Sequence, residues 1–108
     1  MTSEELREIV PTDVEAWMIE DIIWPARSLC LCYDEDNWYY GTRYGKVHPD
    51  DAAAQIERRL VEWALRQSGD IYHGIGVYWI NFPDTLFSGP NLLHALVAAY
   101  RSSKESKR

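Results

Sequence analysis

Apolar positions recur at helical spacing in the first quarter of the chain and again near its middle, with strand-like alternation between and after. Val14, Trp17, Met18 and Ile22 fall on one helical stripe, which Pro25 ends because the residue before a proline is pushed out of the α region. A shorter helix precedes it, to about Val10. Both open on a hydroxyl residue followed three positions later by a glutamate, Thr2-Ser-Glu-Glu5 and Thr12-Asp-Val-Glu15, the spacing at which side chains and free amides satisfy one another. The strongest periodicity predicts a helix from about Asp50 to Gln67. Ala53, Ile56, Leu60, Trp63 and Ala64 line one face of it, and Glu57, Arg58, Arg59, Glu62 and Arg66 cover the other. Pro49 suits its first turn, Asp50 and Asp51 oppose the positive end of its dipole, and Gly69 is the expected C-cap. Asn91 to about Ser103 predicts a last helix, almost wholly apolar from Leu92 to Tyr100 and therefore largely buried.

Strand signals fill the gaps. Leu29, Leu31 and Tyr33 alternate with Cys30 and Cys32, Asp34-Glu-Asp-Asn37 has turn chemistry, and Trp38 to Tyr44 is again rich in β-formers, so a hairpin is the economical reading. Gly41 and Gly45 weaken its second strand or mark a bulge. Ile71 to Ile80 reads as a third strand, with Ile71, His73, Ile75, Val77 and Trp79 on one face and Tyr72, Gly74, Gly76 and Tyr78 on the other; Asn81-Phe-Pro-Asp84 breaks it. The order α-α-β-β-α-β-α predicts an α+β fold, about four helices on one face of a small, mostly antiparallel three-stranded sheet. Residues 1–103 are expected to form a single globular domain and 104–108 a basic, frayed tail.

Composition narrows the class. With 108 residues, 46% of them hydrophobic and 13% aromatic, the chain can bury a core without disulfide or metal staples. No apolar run approaches the length of a membrane span, and the first residues are acidic where a secretory signal would be basic. Cys30 and Cys32 stand two apart on a predicted strand, a poor geometry for a disulfide, and read as free thiols in a reducing compartment. A cytoplasmic protein is the expectation.

The chemistry-bearing residues do not assemble into a known arrangement. Cys30, Cys32, His48, His73 and His94 lack the paired spacing that structural zinc requires, so no metal is expected. Neither a cysteine nor Ser88 sits in a nucleophile-elbow pattern, and His73 and His94 lie in apolar surroundings that fit hydrogen-bonded core histidines. No phosphate-binding or dinucleotide fingerprint is present, so no cofactor is expected, and a non-enzyme is favoured over an enzyme with an unmarked site. Trp38 to Lys46 interleaves aromatics with Arg43 and Lys46 and could stack single-stranded bases, but the neighbouring Asp34, Glu35 and Asp36 repel a phosphate backbone, and direct nucleic-acid binding is not expected.

Charge changes the picture most. The chain carries 17 acidic and 11 basic side chains, net −6. Residues 1–36 hold ten of the acids against Arg7 and Arg27, a net −8, and the remaining 72 residues are net +2. Helix dipoles account for Glu4, Glu5, Asp13 and Glu15, but not for Glu20 and Asp21 near a helix end or for the run Asp34 to Asp36. Five Trp and seven Tyr against two Phe favour rings that serve interfaces. Trp63 and Trp79 read as core. Trp38, Tyr39, Tyr40 and Tyr44 cannot all be buried, because neighbours on a strand point to opposite faces.

These features predict a small, acidic, non-catalytic protein-binding module. Its expected partner is a protein with a basic, nucleic-acid-binding surface, which it would inhibit as immunity proteins and phage anti-defence inhibitors do. The expected contact residues are Glu20, Asp21, Asp34, Glu35, Asp36, Trp38, Tyr40 and Tyr44. The alternatives are an adaptor or subunit of a larger assembly, including a homodimer, and an enzyme.

Overall fold

The computed structural model describes residues 1–21, 30–34, 37–42 and 45–106. Ten elements follow one another among them: α1 (Ser3–Ile9), α2 (Thr12–Asp21), β1 (Cys30–Asp34), β2 (Asn37–Thr42), β3 (Gly45–Val47), α3 (Pro49–Arg66), β4 (Asp70–Gly74), β5 (Val77–Asn81), β6 (Leu86–Gly89) and α4 (Leu92–Ser106). The fold is α+β, with four helices and antiparallel three-stranded pairing as the sequence pattern predicts. The pairing occurs twice, in two sheets of order β1-β2-β3 and β4-β5-β6. The chain divides into two compact units, Met1–Gln55 and Ile56–Arg108.

In the first unit, Thr2 caps α1 as its spacing predicts: the Glu5 amide donates to Thr2 Oγ1 at 3.1 Å. The Val10 amide closes the helix onto the Leu6 carbonyl. Thr12 departs from the expected role. It is the first helical residue by its backbone, and the Glu15 amide bonds to the Pro11 carbonyl. Leu6, Val10, Val14 and Met18, spaced by four, are all fully buried, which is why two short helices of ordinary propensity hold. The stripe's last residue, Ile22, and Pro25 lie outside the described residues. The first sheet pairs Cys30 with Gly41 and Asp34 with Asn37, so the predicted hairpin forms. Its second strand is two strands, however, because the chain turns back between Thr42 and Gly45, which pair with each other. Gly45 takes φ 126°, a region that side chains on L residues disfavour. Ahead of α3, the Asp50 amide donates to His48 Nδ1 at 3.2 Å, so His48 serves as the cap before Pro49.

In the second unit, Ile56, Leu60, Trp63 and Ala64 of α3 are buried. The end of α3 corrects the expected cap. The Ser68 amide bonds to the Leu65 carbonyl and the Gly69 amide to the Ala64 carbonyl, a Schellman closure in which the left-handed residue is Ser68, at φ 63°. Gly69 is needed for space instead, beside the Phe82 ring and the Ala64 carbonyl.

The stretch from Ile71 to Ile80 is not one strand but a hairpin. Gly74 pairs with Val77, and Gly76 at φ 68° reverses the chain. Reversal redistributes the faces. Ile71 and His73 share a face with their partners Ile80 and Tyr78, and continue to Phe87 and Gly89 on β6; Tyr72 and Trp79 share the opposite face with Ser88. The first face packs under α4, with Ile80 fully buried. β6 itself had no sequence assignment, and α4 continues to Ser106, past the predicted end at Ser103. Asn91 caps α4 through its Oδ1, which accepts from the His94 amide at 3.0 Å. Among the described residues no helix is long and apolar enough to cross a membrane.

Candidate functional site

The expected contact residues are placed at the level of the backbone. Glu20 and Asp21 end α2, Asp34 ends β1, and Trp38 and Tyr40 take alternate positions on β2, paired with Tyr33 and Leu31. Glu35, Asp36 and Tyr44 lie outside the described residues, as do the side chains of the other five. What the first unit does present is a set of exposed carboxylates: Glu4, Glu5 and Glu8 on α1, Asp13 on α2, and Asp50 and Asp51 in the first turn of α3. By sequence this unit holds twelve acids against four bases, net −8, and Ile56–Arg108 holds five against seven, net +2. The polarity of charge along the chain is thus a polarity between two compact bodies.

The second unit exposes aromatic and apolar surface, including Trp79, which the sequence pattern predicts to be core. Trp79 is 37% exposed and Tyr72 52%, side by side on the face of the β4–β6 sheet opposite α4, with Leu86 on the same face and Ile75 at the hairpin tip, both exposed. The six-membered ring of Trp79 lies over Gly74: a Cβ there would meet Cζ3 at 2.6 Å and Cη2 at 2.8 Å. Glycine therefore lets the indole lie flat as part of a platform. The available signal was Gly74-Ile-Gly76, a turn sequence inside an otherwise continuous alternation.

The second unit also contains a concavity of about 440 Å³. The C-terminal turn of α3, the loop from Phe82 to Thr85, β6 and the last turns of α4 enclose it. Its apolar walls are Trp63, Phe82 and Phe87. Trp63 meets Phe82 edge-on (5.8 Å, 64°), Phe82 meets Phe87 edge-on (6.0 Å, 77°), and Trp63 is held from behind by Tyr100 (5.1 Å, 81°). Each pair has a favoured T-shaped geometry, so the rings brace one another as walls rather than stacking. The loop carrying Phe82 is closed by its own amide donating to the Thr85 carbonyl at 2.8 Å. Polar groups complete the lining: Asp84 and Thr85 from the loop, Gln67 from the end of α3, and Ser102 and Ser103 from α4. No lysine, arginine or histidine is among the lining residues, and Asp84 makes no ion pair with another described residue. The volume lies within the range of small-ligand clefts.

The histidines differ from expectation. His73 is exposed and stacks on its cross-strand partner Tyr78 (4.1 Å, 7°). His94 is half-buried, and its Nδ1 finds no hydrogen-bond partner among the described residues. No group of three or more His, Cys, Asp or Glu side chains among the described residues is arranged to hold a metal. Glu57 on α3 is the carboxyl whose environment stands out, since partial burial pushes its pKa above the ordinary range. Comparison with protein-family models, with curated proteins and with solved structures gives no match for this chain.

Proposed function

We propose that the protein is a cytoplasmic, non-catalytic binding module that occupies a basic surface on a protein partner. The observation that carries this reading is the division of charge between the units, −8 in Met1–Gln55 against +2 in Ile56–Arg108, with exposed carboxylates on three helices of the acidic one. A single-signed surface steers a basic partner into encounter and rejects acidic ones. Basic protein surfaces commonly serve nucleic acids, so occupying one inhibits the partner, as immunity proteins and phage anti-defence inhibitors do. Cys30 and Cys32, at alternate positions of one strand, suit a reducing compartment.

The test is displacement. Immobilised protein should retain a partner from native lysate at low salt and release it as salt rises, and the purified chain should then compete a labelled oligonucleotide off that partner. Retention that ignores salt, or a partner whose nucleic-acid binding is untouched, contradicts the reading.

The exposed Tyr72–Trp79 platform favours a second reading, a subunit of a larger assembly or a homodimer. Amphipathic rings exposed side by side on an open sheet face suit contact with another chain.

A further inference from the structure

We propose that the concavity between α3, the Phe82–Thr85 loop and α4 is a receptor for a cationic side chain, an arginine guanidinium, presented by the partner. The inference rests on the reading that the partner is basic, and it names the group recognised; the site lies in the net +2 unit, so it is the cavity's own lining, not the charge of the unit, that selects the group.

Three features of the site select this chemistry. Its walls include Trp63, Phe82 and Phe87, which pack edge to face at 64° and 77° rather than stacking on one another. A cation over the face of such rings is attracted by their quadrupoles, most strongly by tryptophan, and a planar guanidinium also stacks on them. The lining carries one carboxylate, Asp84, and no positive charge, which excludes phosphate and carboxylate ligands and complements a cation. Two helices also end at the site. Gln67 follows the last residue of α3, and Ser103 lies in the last turn of α4, so the cavity sits at the negative ends of both helix dipoles. Arg101, on a neighbouring strip of α4, is engaged by Glu105 at 3.4 Å and does not line the cavity. The aliphatic stem of an arginine would lie against the apolar walls and its head would reach Asp84 and the hydroxyls of Thr85, Ser102 and Ser103. A volume of about 440 Å³ leaves room for the backbone that carries it.

The experiment uses the full chain and a defined probe, N-acetyl-arginine methylamide, titrated while the indole N–H resonance of Trp63 is followed by NMR. The resonance is identified by its loss in Trp63→Phe. A saturable shift is expected, with the citrulline counterpart, equal in shape but uncharged, binding at least tenfold more weakly. Asp84→Asn, a change at an exposed loop position, should weaken arginine binding at least fivefold, and Ser103→Lys should abolish it. No saturable shift, equal affinity for citrulline, or an unchanged affinity in Asp84→Asn overturns the proposal. Its failure is separable from that of the functional reading. If the probe binds as described but the partner's association ignores salt, the receptor site stands and the acidic-surface reading falls. If the salt dependence holds and the probe does not bind, the reverse is true.

Discussion

Phe82 lies against Gly69: a Cβ added at Gly69 would stand 2.8 Å from Cε1 of the ring and 2.8 Å from the carbonyl oxygen of Ala64. The end of α3 and a wall of the concavity are therefore one construction. Gly69→Ala should cost about 1–3 kcal/mol, because backbone on one side and a braced ring on the other leave little room to relax. Ser68→Gly should do the opposite, raising stability by up to about 1 kcal/mol, since Ser68 holds φ 63° and an L residue there carries strain that glycine lacks. Urea denaturation of the two single variants reads both signs, and a Gly69→Ala protein as stable as wild type would show that Phe82 is not held where described.

Trp63 is the keystone of the same cluster, in edge-to-face contact with Tyr100 and Phe82 and only 9% exposed. Trp63→Ala should cost about 3–5 kcal/mol, while Arg58→Ala, at an exposed position of the same helix, should stay within about 0.5 kcal/mol. Equal losses by chemical denaturation would put the wrong face of α3 inside.

Glu57 predicts a pH dependence. Its carboxyl holds its proton to higher pH in the folded protein than in the unfolded chain, because burial disfavours the charged form. Between those two values the folded state binds more protons, so this group's contribution to stability is full below the ordinary carboxylate range and is lost as pH rises through the raised value. Glu57→Gln should therefore raise the Tm at neutral pH and leave it unchanged at acid pH. A uniform shift at all pH values would assign the effect to packing instead.

Tyr72 and Trp79 lie next to each other on the open face of the β4–β6 sheet. Tyr72→Thr with Trp79→Thr should cost about 1 kcal/mol of cross-strand pairing and abolish concentration-dependent association. Light scattering across a wide dilution range checks this. A wild-type chain that is strictly monomeric removes the homodimer and leaves the platform for a different partner.

The helices and the fold class were legible because their signals are local: burial at Val14 and Met18, and at Ile56, Leu60, Trp63 and Ala64, follows the 3.6-residue period, although Trp17 and Ala53 on the same stripes are only half-buried and Ala52 is buried in place of Ala53. The second sheet was not, because alternation from Ile71 to Ile80 survives a two-residue reversal, and only Gly74 and Gly76 mark it. That reversal is also why Trp79 is exposed, a consequence of register that no window of sequence contains. The concavity was illegible for a related reason. Trp63, Phe82, Phe87 and Ser103 are distant in sequence, and their convergence depends on β6, whose four residues have no periodicity to read. The charge division was legible from counting alone, and the fold makes it a property of two compact units.

Association kinetics decide whether the acidic unit meets a basic surface. The rate constant for binding the retained partner should be measured from low salt, through physiological ionic strength, where charge is screened beyond about 8 Å, to well above it. A steep fall is predicted for the wild type, with a shallower slope and slower association for Glu4→Gln with Glu8→Gln and for Asp34→Lys, Glu35→Lys and Asp36→Lys combined. An association rate that is flat in salt, and the same in wild type and variants, would contradict an acidic docking surface.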